Sequence, residues 1–152
     1  MTLSAGLLLF RRTPAALEVL LAHPGGPYWA RKDQGAWTLP KGEVQPGEEP
    51  LAAACREFAE ETGHAPAGPF IALGEVRQAG GKRVQAWAVE GSFDPAQLRC
   101  NQFEMEWPPR SGRRQSFPEI DRVGWFGPAE AASRLLAGQR PFLERLQLAL
   151  AG

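Results

Sequence analysis

Glu57, Glu60 and Glu61 stand at positions i, i+3 and i+4, a spacing that gathers their carboxylates on one side of any helix that carries them. Like charges so placed repel by about 0.2–0.5 kcal/mol per exposed pair, and by more where water is partly excluded. A cation relieves that repulsion. Oxygen donors with no His or Cys on the same stripe suit Mg²⁺ or Mn²⁺ better than zinc, and Mg²⁺ characteristically bridges carboxylates to phosphate oxygens. The alternative is a solvated face, because glutamate is a good helix former and acidic stripes often simply meet water. From the spacing alone the solvated face is the favoured reading; the order of residues around the acids overturns it.

Pro50 suits a first helical position and Gly63 the position just past a helix end, which predicts a helix of about 13 residues, ~20 Å long. Leu51, Ala54, Cys55, Phe58 and Thr62 fall on its packing stripe, with the acids on the neighbouring one. Ahead of the acids the order is Gly42, five residues, Glu48, seven residues, then Arg56-Glu57-Phe58-Ala59-Glu60-Glu61-Thr62-Gly63. This order resembles the Nudix box, Gly-x5-Glu-x7-Arg-Glu-U-x-Glu-Glu-x-Gly-U with U aliphatic. Every charged and glycine position of the pattern is present. Phe58 replaces the first aliphatic residue and keeps the apolar stripe. His64 replaces the last and is expected to leave the helix toward solvent.

The resemblance implies a Nudix-type α/β/α sandwich with a mixed β-sheet, and a hydrolase of phosphoanhydride bonds. It implies that Glu57, Glu60 and Glu61 hold Mg²⁺ or Mn²⁺, with the main-chain carbonyl of Lys41 or Gly42 as a further ligand. Bound ions of this kind polarise phosphoryl oxygens and acidify a water that attacks phosphorus. Arg56 is assigned a structural role, pairing with Glu48 to hold the loop against the helix. Relatives often recruit one more acid from outside the box. Of Glu104, Glu106, Glu119 and Asp121, Glu119 is the choice, as a metal ligand or general base in a loop leading into a strand.

Selective contacts lie outside the box. Tyr28 and Trp29, with Arg31 and Lys32, could stack a base and steady a phosphate chain, or Trp29 could cap the core while the cations are solvated. Lys41 is the better phosphate contact; Arg83, Arg110, Arg113 and Arg114 are weaker ones. The strand Ser4-Ala-Gly-Leu-Leu-Leu-Phe-Arg-Arg12 and the approach Trp37-x-x-Pro40-Lys41-Gly42 are similar to the diadenosine tetraphosphate hydrolase branch, which implies a dinucleoside polyphosphate substrate. The rival within the same chemistry is pyrophosphate release from oxidised or noncanonical nucleoside triphosphates. A noncatalytic nucleotide-sensing module is the rival from another class, but its expected mark, a broken box, is missing. Isomerisation of isopentenyl diphosphate needs a catalytic cysteine and a histidine set that two Cys and two His in other contexts do not supply.

Around the box the chain reads as strands, then helices. Leu3–Arg11 and Leu17–His23 form a buried strand pair, the segment 23–35 is a surface loop, and Ala36–Leu39 is a short strand before a Pro40-Lys41-Gly42 turn. Phe70–Gln78 and Lys82–Glu90 form a hairpin, Phe103–Trp107 another strand, Pro108–Pro118 a basic loop and Val123–Phe126 a last strand. Helices are expected over Pro128–Ala137 and from Pro141 to near Leu150. The 152 residues suffice for one domain, 1–152, with a radius of gyration of about 15 Å. Seventeen Lys+Arg balance seventeen Asp+Glu, which removes the electrostatic footprint of a nonspecific duplex-nucleic-acid binder. No apolar run nears the ~20 residues of a membrane span, and Cys55 and Cys100 suit a reduced cytoplasmic setting as apolar fillers. A small nucleotide or dinucleotide is the expected partner, and the resemblance leaves room for a homodimer.

Overall fold

The computed structural model describes residues 2–151 as a mixed α/β sandwich. Its main sheet contains β1 (Leu3–Arg12), β2 (Leu17–Pro24), β3 (Lys41–Glu43), β4 (Phe70–Arg77), β5 (Arg83–Glu90) and β8 (Ile120–Phe126), and a separate hairpin pairs β6 (Gln102–Glu106) with β7 (Arg114–Pro118). The order across the main sheet is β4-β5-β1-β2-β8, with β3 paired to β1. The β1–β5 pairing is parallel and the other pairings are antiparallel, so the sheet is mixed. Helix α1 (Pro50–Thr62) covers one face; α2 (Pro128–Arg134) and α3 (Arg140–Ala151) cover the other.

The unbroken apolar run in β1 follows from this layering, since a strand buried on both faces has no solvent side to alternate toward. Ala5, Leu7 and Leu9 pack with Ala53, Ala54 and Phe58 of α1, while Leu8 and Phe10 pack with Leu135, Phe142 and Leu146 beneath the other helices. Phe58 is completely buried, so truncating it to Ala would cost about 3–5 kcal/mol. Helix α1 begins with Pro50 at its first turn and ends on Gly63, whose φ of 82° is the left-handed conformation glycine adopts without Cβ strain.

Several expected boundaries move. Residues 36–39 form two isolated bridges, Ala22↔Thr38 and Trp37↔Leu135, rather than a strand, because their backbone is shared between β2 and the end of α2. Lys41 and Gly42, expected in a Pro40-Lys41-Gly42 turn, belong instead to β3, whose Lys41, Gly42 and Glu43 pair with Gly6, Ala5 and Ser4. The C-terminal half of the expected basic loop, Arg114–Pro118, is β7, in register with β6 from Gln102↔Pro118 to Glu106↔Arg114. Helix α2 stops at Arg134, where Leu135 turns extended and drops its side chain into the core. His64 does not point away into solvent; it is half-buried, with its ring 5.5 Å from that of Phe93 and 6.4 Å from that of Phe58.

Candidate active site

The acidic stripe of α1 faces β3 across a cavity of about 460 Å³, lined by Lys41, Gly42, Glu57, Glu60, Glu61 and Glu119 together with Glu43–Pro46 and Asn101. Two features of the β3 backbone make the close approach. A Cβ built on Gly42 would lie 2.0 Å from Glu57 Cδ, so only glycine leaves room for that carboxylate. The amide of Lys41 donates to Glu61 Oε2 at 3.0 Å.

Arg56 organises the other acids. Its Nε and Nη2 donate to the two oxygens of Glu48 at 2.8 and 3.0 Å, a fork that ties the loop to the helix, and Nη2 also donates to the Glu43 carbonyl at 3.1 Å. Gln45 N donates to Glu48 Oε1 at 3.0 Å. The Arg56 guanidinium holds the Glu48 carboxyl at about 2, well below the usual range. Arg56 Nη1 also reaches Glu57 Oε1 at 2.8 Å and lies 3.5 Å from Glu60. Part of the charge relief that the spacing argument assigned to a metal therefore comes from the arginine within the box. In this conformation no three such carboxylates among the described residues surround a common point as metal ligands would.

Glu61 is placed differently. Burial pushes its carboxyl up to about 8, the neighbouring Glu57 and Glu119 push the same way, and Lys41 with its amide only partly opposes them. The donor set therefore fits a hard divalent ion. It is all oxygen, it includes a buried acid whose ionised form lacks a cationic hydrogen-bond partner, and Glu57 and Glu60 need only exchange Arg56 for the ion.

Of the four downstream acids, Glu119 is the one that lines the cavity. It stands between β7 and β8, where its amide donates to the Asn101 carbonyl and its own carbonyl accepts from Gly25, both at 2.9 Å. Asp121 Oδ1 instead lies 2.8 Å from Nδ1 of the buried His23, Glu106 accepts from the amides of Arg110 and Gly112 in the hairpin turn, and Glu104 faces Arg114 at 3.7 Å.

The cations expected at the substrate separate. Lys41 contributes its amide to the acidic side, but its side chain starts on the opposite face: a Cβ built on Gly6 would sit 2.8 Å from Lys41 Cβ and 2.2 Å from Leu39 Cδ1. Arg83 is held by both oxygens of Glu75 and does not line the acidic cavity. Arg31 is exposed, and Lys32 Nζ lies 5.2 Å from the centre of the Trp29 ring, away from the acids. Arg110, Arg113 and Arg114 are exposed on the β6–β7 hairpin.

Trp29 belongs to the core layer and also borders a cavity: with Tyr28 it lines an apolar space of about 270 Å³ completed by Gly25–Pro27, Phe103 and Met105. Phe103 and Met105 were missed because apolar residues alternating with Glu104 and Glu106 read simply as the packed face of a strand. The hydrogen bond from the Gly25 amide to the Glu119 carbonyl ties a wall of this cavity to a wall of the acidic one. Asn101 was likewise missed; its signal was proximity in sequence to β6, which names no role.

An acidic helix held against a glycine-containing strand within this sandwich is the arrangement that the resemblance to the Nudix box implied. The NUDIX domain family model matches residues 2–146, and the chain belongs to that family. Among curated proteins it is 40% identical over 88 residues to the 8-oxo-(d)GTP phosphatase of Mycolicibacterium smegmatis, a match covering 54% of this chain and 25% of that protein. It is 31% identical over 104 residues to the RNA pyrophosphohydrolase of Rhizobium meliloti, covering 59% of this chain and 57% of that one. The matches thus span a quarter to just over half of these relatives. Among solved structures, the Ap4A hydrolase of C. elegans in a binary complex superposes with a TM-score of 0.68, at 23% identity, covering 100% of this chain and 99% of that one.

Proposed function

We propose that this protein is a divalent-metal-dependent pyrophosphohydrolase acting on a nucleotide, with a dinucleoside polyphosphate as the favoured substrate. One observation carries the hydrolase reading: Glu57, Glu60, Glu61 and Glu119 line a single cavity against Gly42, although Glu119 is distant in sequence. Glu57, Glu60 and Glu61 are the proposed metal ligands, with the Lys41 or Gly42 carbonyl beside them. A bound Mg²⁺ or Mn²⁺ supplies Lewis acidity toward phosphoryl oxygens and an acidified water. Glu119 takes the proton from the attacking water or adds a ligand. Glu48 and Arg56 hold the β3 loop to α1, so that Gly42 stays against Glu57.

The nucleobase is assigned to the apolar cavity of Tyr28, Trp29, Phe103 and Met105, where ring faces and a thioether suit a flat aromatic ligand. The dinucleoside preference rests on the Trp37-x-x-Pro40-Lys41-Gly42 approach to the box. The 40% identity to an 8-oxo-(d)GTP phosphatase favours a second reading, cleavage of damaged nucleoside triphosphates. Product analysis with Mg²⁺ or Mn²⁺ decides between them. Two nucleotides from diadenosine tetraphosphate support the first reading, and a mononucleotide plus pyrophosphate from an oxidised triphosphate supports the second. Inactivity across a broad panel of diphosphate compounds overturns both in favour of a noncatalytic nucleotide sensor.

A further inference from the structure

The His23 side chain is completely buried at the end of β2, seated edge-on against Trp37 with ring centres 5.1 Å apart. Packing alone does not call for a histidine there. An apolar side chain of similar volume would fill the seat without withdrawing two ring nitrogens from water, so what the imidazole adds is its hydrogen bonds. Both are made, and they run to different segments. Nε2 lies 2.6 Å from the Lys32 carbonyl, an oxygen that can only accept, so Nε2 carries the hydrogen and donates. Nδ1 lies 2.8 Å from Asp121 Oδ1 on β8. The ring stands where the ladder between β2 and β8 changes register, at the irregularity between His23 and Pro24. At that point the side chain adds a tie that regular pairing does not supply.

Each contact leads to the wall of one cavity. The Lys32 amide donates to the Trp29 carbonyl at 2.9 Å and the Trp29 amide to the Gly26 carbonyl at 3.3 Å. His23 thus fixes one end of a bonded series whose other end lines the apolar cavity. Asp121 follows Glu119 at the start of β8, with the buried Ile120 between them. We propose that His23 is a positioning residue with two separable arms: Nε2 holds the loop of Tyr28 and Trp29 that receives the base, and Nδ1, through Asp121, holds the segment that presents Glu119 to the acidic cavity. The roles given to the base and to Glu119 rest on the hydrolase reading above; the two-armed clamp does not. The direct bond from the Gly25 amide to the Glu119 carbonyl involves neither side chain, so removing an arm alters orientation while the two walls stay in contact.

The arms can be removed one at a time. Asparagine places an amide nitrogen near Nδ1 and glutamine places one near Nε2, so His23→Asn keeps the Asp121 contact and His23→Gln the Lys32 contact. Asp121→Ala removes the same arm as His23→Gln from a partly exposed position, and Asp121→Asn keeps an oxygen there. Hydrogen–deuterium exchange in EDTA is followed over residues 26–32 and 119–123. Loss of one hydrogen bond speeds local opening about tenfold. The faster exchange is confined to 26–32 in His23→Asn and to 119–123 in His23→Gln and Asp121→Ala, while Asp121→Asn stays near wild type. Changes spread equally over both segments, or absent from both, overturn the clamp. Where the His23 variants do not fold, equal exchange in Asp121→Ala and Asp121→Asn overturns it. Kinetics with a dinucleoside tetraphosphate, at the Mg²⁺ concentration that half-saturates wild type, test the roles of the arms. His23→Asn raises KM about tenfold at unchanged kcat; His23→Gln and Asp121→Ala lower kcat about five- to tenfold at unchanged KM, and Asp121→Asn stays within about threefold of wild type. KM and kcat moving together in every variant overturn the division of roles. Absence of wild-type turnover with every substrate defeats the hydrolase reading, while the exchange measurement still decides the clamp.

Discussion

Glu61→Gln tests whether the acidic helix is built to receive a cation, and the size of its effect follows from one number. Burial raises the Glu61 carboxyl from its ordinary 4.5 to about 8. The folded protein therefore binds a proton more tightly than the unfolded chain does, so this residue's contribution to stability is largest below pH ~4.5 and is lost as pH rises toward about 8. At pH 7 the metal-free protein has lost about 3 kcal/mol, at about 1.36 kcal/mol per pH unit. Glutamine keeps an oxygen to accept from the Lys41 amide and has no charge to desolvate. The variant in EDTA is thus expected to be more stable than wild type by up to about 3 kcal/mol at pH 7, a gap that closes below about 1 kcal/mol at pH 5. Urea melts at the two pH values measure this. Saturating Mg²⁺ should reverse the order, since an ion at a hundredfold excess over its Kd adds about 2.7 kcal/mol to the wild type and less to a variant that has lost a charged ligand. Turnover of the variant should fall sharply throughout. A Glu61→Gln protein that is less stable than wild type in EDTA at pH 7, or whose advantage ignores pH, would show that this carboxylate is a structural anchor and refute the reasoning.

Three further outcomes are expected. Gly42→Ala places a methyl group 2.0 Å from Glu57 Cδ, a movable side-chain end, so stability should change by less than about 1 kcal/mol while turnover collapses; Gly6→Ala meets the Pro40 carbonyl at 2.6 Å and should destabilise by about 1–3 kcal/mol. Equal effects of the two substitutions in paired melting and kinetic assays would contradict this account. Glu119→Gln should lower kcat by about 10²–10⁴-fold and remove the acidic limb of the pH–rate profile if it is the base. If it is a ligand, the metal concentration giving half-maximal rate should rise instead, and a wild-type profile with wild-type metal demand removes Glu119 from the site. Tyr28→Ala is a cleaner probe of base stacking than any change at Trp29, because Tyr28 is 58% exposed and Trp29 also supports the core. Its KM should rise about tenfold with kcat retained, and unchanged KM would discard the aromatic cavity as the base site.

The fold was legible wherever burial imposed a pattern. Helix α1 is bracketed by Pro50 and Gly63 and striped by Ala54 and Phe58, and β1 carries an apolar run from Ala5 to Phe10 because both of its faces are covered there. It was illegible where the partner, not the segment, makes the element. Lys-Gly-Glu carries no strand signal, yet Ser4–Gly6 supplies β3 with a ladder. Arg-Gln-Ser-Phe-Pro has three exposed side chains and becomes β7 only by pairing with β6. The site divides the same way. The acids of α1 are singled out by the order of residues around them, and Glu119, which lines the same cavity, by its place before β8. Asn101 could not be, because nothing in its own type or spacing marks it and it joins the cavity beside Glu119 only in the folded chain.

The distribution of charge on α1 indicates where a cation would gain most. Arg56 takes Glu48 in a fork and leaves one nitrogen for Glu57 and Glu60, so these acids are compensated within the box and remain partly in water. Glu61 receives an amide and not a guanidinium, in the most buried position of the stripe. An ion arriving at the cavity therefore finds one carboxylate whose ionisation it can release and two that must partly let go of Arg56. Those two exchanges differ in sign: the first converts a desolvation penalty into binding free energy, and the second gives back an ion pair already made. The net affinity for an ion should then rest mainly on Glu61, while Arg56 sets how firmly Glu57 and the loop carrying Glu48 are held.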